Sequence, residues 1–252
     1  MLDLGNGVYR IESTINVTGG KHLLCDNAII LKDFDGVGLA FTGGSNFNQI
    51  SGYLEVRATG SHVSNTALAS TSPTAHGVTI TNNRLIVKGE LSATYHKGNG
   101  VLFTGTGPNS NRCLFKDIRV RFNGVHGIQF SGTSDDTSVW QIDIYADGNR
   151  KSGIISDSDF MGRNWSGFWY TEGNCIDTTS NGVDLGKLRF SNLEVYSEEQ
   201  TGAGEVVLGA NTDGLNIRSF RRSFDADNST AGSNGWSYGD ATYKPSTGGG
   251  PT

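Results

Sequence analysis

Aromatic, carboxylate and guanidinium side chains recur at matching points along four segments of the chain. Aligning the segments by their apolar positions Ile118, Ile144, Phe168 and Leu193 makes the next outward residues Arg119, Tyr145, Trp169 and Glu194. Two positions further on stand Arg121, Asp147, Thr171 and Tyr196. Flat aromatic rings cover the apolar C–H patches of a sugar, and carboxylates accept hydrogen bonds from its hydroxyls. Guanidinium groups suit an acidic polymer. The candidate binding residues are therefore Arg119, Arg121, Tyr145, Trp169 and Tyr196, with Trp169 as the expected anchor. The same positions also suit a plain solvent-facing strand surface.

Hydrolysis of a glycosidic bond needs two carboxyl groups, roughly 5–5.5 Å apart for retention or 6.5–9.5 Å for inversion. Strands stacked about 4.8 Å apart bring carboxylates one or two layers apart into that range. Asp147 and Glu194 are the candidate catalytic pair on this alignment, and Asp143, Glu172 and Glu198 are further candidates. Asp135 and Asp136 read as turn carboxylates. Asp157 and Asp159 fall short of the six to eight oxygens of a calcium loop. The five histidines form no triad or metal spacing, and no cofactor or metal is expected.

These residues need elements that hold them in register. A short strand of the form x-Gly-apolar-x-apolar recurs as HGVTI (76–80), NGVLF (99–103), HGIQF (126–130) and SGIIS (152–156). NCIDT (174–178) is a degenerate copy, AGEVV (203–207) follows, and VGLAF (37–41) is an early one. Each is followed by a turn and a longer alternating strand, such as RLIVKGELSAT (84–94) or LFKDIRVRF (114–122). Alternation means one buried face and one solvated face. One such unit cannot bury its apolar residues alone, so the units must stack. The pattern predicts an all-β, single-stranded parallel β-helix, a solenoid of about eight to nine rungs over residues 1–227. An antiparallel sandwich is the competing architecture. Asn99–Gly100, Asn123–Gly124, Gly148–Asn149 and Gly173–Asn174 are expected to supply positive-φ corners, and stacked asparagines can bond as a ladder. Residues 60–75, rich in Ser, Thr and Ala, read as a side loop. Residues 228–252 lose the repeat and read as a Gly/Ser-rich tail or linker.

The opening LDLGNGVYRIESTINVTGGKHLLCDNAIILKDFDGVGLAF resembles the first coils of phage tail-spike and pectate-lyase-like β-helices. NGVHGIQFSG (123–132) followed by WQIDIYADGNRKSGI (140–154) is similar to tail-spike rungs. The likeness spans roughly residues 2–225. It implies a right-handed coil, a homotrimer, a bacterial surface glycan as ligand and other virion tail proteins as partners. NTDG (211–214) matches the first motif of polygalacturonases, but the Gly-His-Gly and Arg-x-Lys motifs that follow in that family are missing, so it reads as a turn.

Charge and cysteine usage narrow the classes. The net charge is −5, and Arg218, Arg221 and Arg222 form the densest basic cluster, so no nucleic-acid footprint is present. No apolar run approaches a membrane span. Cys25, Cys113 and Cys175 are unpaired in apolar settings, which fits assembly in a reducing cytosol, and the resemblance implies incorporation into a virion afterwards. The expected function is a phage tail spike or fibre that recognises a bacterial polysaccharide, with its depolymerisation left open. A secreted polysaccharide lyase or hydrolase and a non-catalytic stalk or adhesin are the alternatives.

Overall fold

The computed structural model describes residues 1–43, 47–81, 84–105, 113–132, 137–157, 161–189, 191–198, 204–208, 216–220, 224–226, 236–239 and 244–245. The chain winds as a parallel β-solenoid. The main path of one sheet runs through the long strands, including His22–Lys32, Phe47–Ala58, Arg84–Thr94, Cys113–Arg121, Thr137–Asp147, Ser166–Glu172 and Asn192–Glu198. The facing sheet holds the short strands, including Leu39–Thr42, Val78–Thr81, Val101–Gly105, Ile128–Gly132, Ile154–Ser156 and Asn181–Leu185. Among the described residues ten strands follow one another on each path, a slightly different rung number from the eight to nine expected. Among the described residues the only helical segment is one 3₁₀ turn, Gly60–His62.

The alternating pattern sends every second residue inward. Leu54, Leu91, Ile118, Ile144, Trp169 and Val195 are successive register partners, and all are buried. Beside them runs a column of smaller residues, Val56, Ala93, Val120, Ala146 and Thr171. The smaller column leaves room for the repeat's glycines. A Cβ on Gly100 would lie 2.8 Å from the Gly127 carbonyl oxygen, and one on Gly127 would lie 2.5 Å from that of Gly153. These glycines are required by close approach between rungs, and positive φ has no part in it.

Positive φ falls one position before the asparagines, at Phe122, Gly148 and Gly173, and at Tyr95 before His96 in the preceding rung. The expectation that Gly100 and Gly124 turn the corner is thus corrected. The asparagine ladder forms from Asn123, Asn149 and Asn174, all buried. The Asn123 side-chain amide donates to Asn149 Oδ1 at 2.9 Å, and that of Asn149 donates to Asn174 Oδ1 at 2.8 Å. The same amides donate to the Ala93 and Val120 carbonyls. Asn99 takes another corner and bonds Gln129.

Two further expectations change. The copy that follows SGIIS is NGVDL (181–185), because Ile154 pairs Val183, while 174–178 is a turn with positive φ at Cys175 and Thr178. Within the stretch read as a tail, Trp236–Gly239 pairs Asn216–Phe220 and Lys244–Pro245 pairs Phe224–Ala226, so the stack continues there. Asp135, Asp136, Asp159, the NTDG segment, Arg221 and Arg222 lie outside the described residues.

Candidate functional site

The outward face of the long-strand sheet carries three columns. In the first, Phe168 pairs Glu194. In the second, Arg119, Tyr145, Tyr170 and Tyr196 are successive partners. In the third, Arg121, Asp147 and Glu172 follow one another. The face therefore holds Arg119, Tyr145 and Tyr196 together, as expected, and adds Tyr170.

Trp169 is not on it. The indole is fully buried, and its Nε1–H donates to the Ile142 carbonyl at 3.0 Å. It continues an internal aromatic run through Trp165, Phe130 and Phe103. Phe168, expected inside, is 44 % exposed. The register is one residue off from that expected in this strand, and the reason is visible downstream. With Phe168 inward, Tyr170 and Glu172 would also face the core, burying a carboxylate with no partner. With Trp169 inward, Thr171 follows it inside. Gly167 makes the fit possible, because a Cβ there would lie 2.0 Å from the Ile142 carbonyl oxygen.

The slip also dissolves the Asp147–Glu194 pair. The two residues are two rungs apart and four positions apart along the strand, about 16 Å between backbones at about 4.8 Å per rung and 3.3 Å per residue. The tyrosine column stands between them. Asp147 instead lies beside Glu172, on adjacent rungs. Burial and then the charge of Glu172 raise the Asp147 carboxyl above its ordinary value, partly offset by Arg121. Tyr145 is raised by burial and by the same two carboxylates.

The tyrosine rings stack face to face, at 5.0 Å and 4° for Tyr145–Tyr170 and 5.0 Å and 11° for Tyr170–Tyr196. Stacked rings cover one another's faces, so this ladder offers edges and hydroxyls at each rung. Tyr170 donates its hydroxyl to Glu172 at 3.0 Å. Phe168 is the open ring face of the site.

An open groove of ≈ 380 Å³ runs between the first two columns, lined by Lys116, Asp117, Arg119, Asp143, Tyr145, Phe168 and Tyr170, with Ile144 at its base. A bulge creates it: Lys116 and Asp117 stand where the next strand has only Asp143 between Ile142 and Ile144. Asp143 is held by Gln141 Nε2 at 2.7 Å and by the Phe168 amide at 2.8 Å. Arg119 lies 3.3 Å from Glu90 and 3.4 Å from Asp117. Further down the same face, Glu55 accepts bonds from Arg57 and Thr94. Burial pushes its carboxyl up, but those bonds bring it below the usual range, so it is a saturated structural acid.

Bulge geometry has no signature in composition, so Asp143 stood only among the further candidates, and Lys116 and Asp117 were missed. Tyr170 and Phe168 were legible from the cost of burying Glu172. Among the described residues no cluster of His, Cys, Asp or Glu is arranged to hold a metal. No family model, curated protein or solved structure matches the chain.

Proposed function

We propose that this chain is a phage tail-spike or tail-fibre β-helix that recognises a bacterial surface polysaccharide, working as a homotrimer among other virion tail proteins. The observation that carries the reading is the groove: one exposed aromatic face, Phe168, bordered by a row of tyrosine edges and by Asp143, Arg119 and Lys116. Rungs repeat the same hydroxyl and carboxylate groups along the axis, which suits a polymer lying parallel to it. Titration calorimetry against purified capsular and O-antigen polysaccharides tests it. Phe168→Ala should weaken binding at least tenfold with the melting temperature unchanged. Binding that survives this change, with loss of the trimer in sedimentation, would make Phe168 an interface residue and reject the site.

Cleavage of the bound glycan is a second reading, favoured by the proximity of Asp147 and Glu172. Their spacing of about one rung suits retention. The raised Asp147 is the acid, and Glu172 is the nucleophile. Asp147→Asn and Glu172→Gln should each abolish release of reducing ends while binding persists. Unchanged release from both variants sinks this pair.

A further inference from the structure

Residues 59–75 leave the stack after the strand Phe47–Ala58 and lie along the corner of later rungs. The Ser64 amide donates to the Tyr95 carbonyl at 2.8 Å, and the Ser64 hydroxyl donates to that of Phe122. Arg150 Nη1 donates to the Thr66 carbonyl at 2.9 Å, and Val63 bridges to His96. The segment thus borders Tyr95 and Phe122, which directly follow Thr94 and Arg121 of the groove face.

Both ends of the segment are fastened to one turn. Asp35 accepts from His62 Nδ1 at 2.8 Å, from Ser72 Oγ at 3.0 Å and from Lys97 Nζ at 3.0 Å. The fully buried Lys32 donates from Nζ to the Gly36 carbonyl at 2.7 Å and to the Ala75 carbonyl at 3.3 Å.

Two histidines at the second root are bonded in ways that only the neutral ring allows. His76 Nδ1 accepts the Asn99 amide at 3.0 Å, so it carries no proton. His96 Nε2 lies 2.9 Å from the Val56 carbonyl and must donate to it. Its buried Nδ1 has no partner, so a proton there would be a buried donor with no acceptor. The charged and titratable groups around them are Lys32 on its strand, Asp33 and Asp35 after it, His62 on the segment and Lys97 beyond the strand Arg84–Thr94. Asp35 already accepts three bonds, and Asp33 pairs with Arg10 and faces His62.

We propose that residues 59–75 form an acid-released strap: proton uptake by His76 or His96 detaches it from the rung corner and frees the Tyr95 and Phe122 carbonyls that Ser64 now occupies. Burial and then the Lys32 charge lower His76 to about 4, and the same two causes lower His96 to about 3. An opened strap returns them to an ordinary histidine value of about 6.5. Each pH unit below that, down to about 4, favours the open form by up to tenfold per histidine.

Amide hydrogen exchange on the full chain at pH 7.5 and pH 5.0, corrected for intrinsic rates, tests this. Peptides within 60–75 should lose at least tenfold in protection, while those within Cys113–Arg121 keep theirs. His76→Gln keeps an acceptor for Asn99 and cannot charge, so it should blunt the response, and adding His96→Gln should remove it. In case a variant misfolds, imidazole titration by NMR on the wild type is the independent measure. His76 should stay neutral at pH 6 wherever the strap is closed. Titration at an ordinary value with the strap still protected overturns the proposal. So does a strap that tightens in acid, or one that opens only together with the rungs.

Discussion

Removing the Trp169 indole empties a buried site and strips the Ile142 carbonyl of a donor. Trp169→Ala should cost about 3–5 kcal/mol in urea unfolding, whereas Phe168→Ala on the exposed side should stay within about 0.5 kcal/mol. Equal effects would mean that the two aromatics are not on opposite faces. At this scale the sequence was legible up to the adjacent pair Phe168 and Trp169. Both are apolar enough to enter the core, and local alternation alone does not choose between them. The choice is made by neighbours: Gly167 clears space against Ile142, and Tyr170 and Glu172 are better solvated. Tyr145, Tyr196, Arg119, Arg121 and Asp147 were placed on the outward face correctly because their own strands have unambiguous inward partners.

Among elements, the asparagine corner is where most is lost by one change. Asn149→Ala removes the acceptor of the Asn123 amide and of one Asn123 side-chain proton, and takes one donor each from the Val120 carbonyl and Asn174 Oδ1, in a buried setting. Each orphaned group costs about 1–3 kcal/mol, so the urea midpoint should fall by more than a Trp169→Ala-sized step. A variant unfolding like the wild type would show that water or a rearranged corner replaces the ladder. The ladder and the solenoid period could be read from recurring Asn and Gly. The conformation of the corner could not, because rungs at Tyr95 and Phe122 place aromatics at positive φ, stacked 5.3 Å apart, where glycine was expected. The missed copy NGVDL had the repeat's own spelling, but an extended turn at 174–180 displaced it from the expected spacing.

For the molecule as a whole, the histidines set the acid limit. His76, His96 and His126 are all held below the ordinary value, first by burial and next by a neighbouring lysine. The unfolded chain therefore takes up protons first as pH falls below about 6.5, and stability is lost down to about pH 4. Asp35, lowered to about 2, adds its loss only below that window. Melting temperatures should fall steadily from pH 7 to pH 4, and a flat profile over that range would contradict the buried neutral rings. The direction of the backbone hydrogen bonds has a mechanical consequence. They run along the solenoid axis, between rungs, so a load pulling the two ends apart acts on one ladder at a time. Ile118, Ile144 and Trp169 are successive partners 26 and 25 residues apart, and each rung let go frees about 90 Å of extended chain. A load across the axis meets many ladders in shear at once. The chain is therefore weak as a tether and stiff as a lever, and a sideways tug on a bound polymer would be borne by the whole stack.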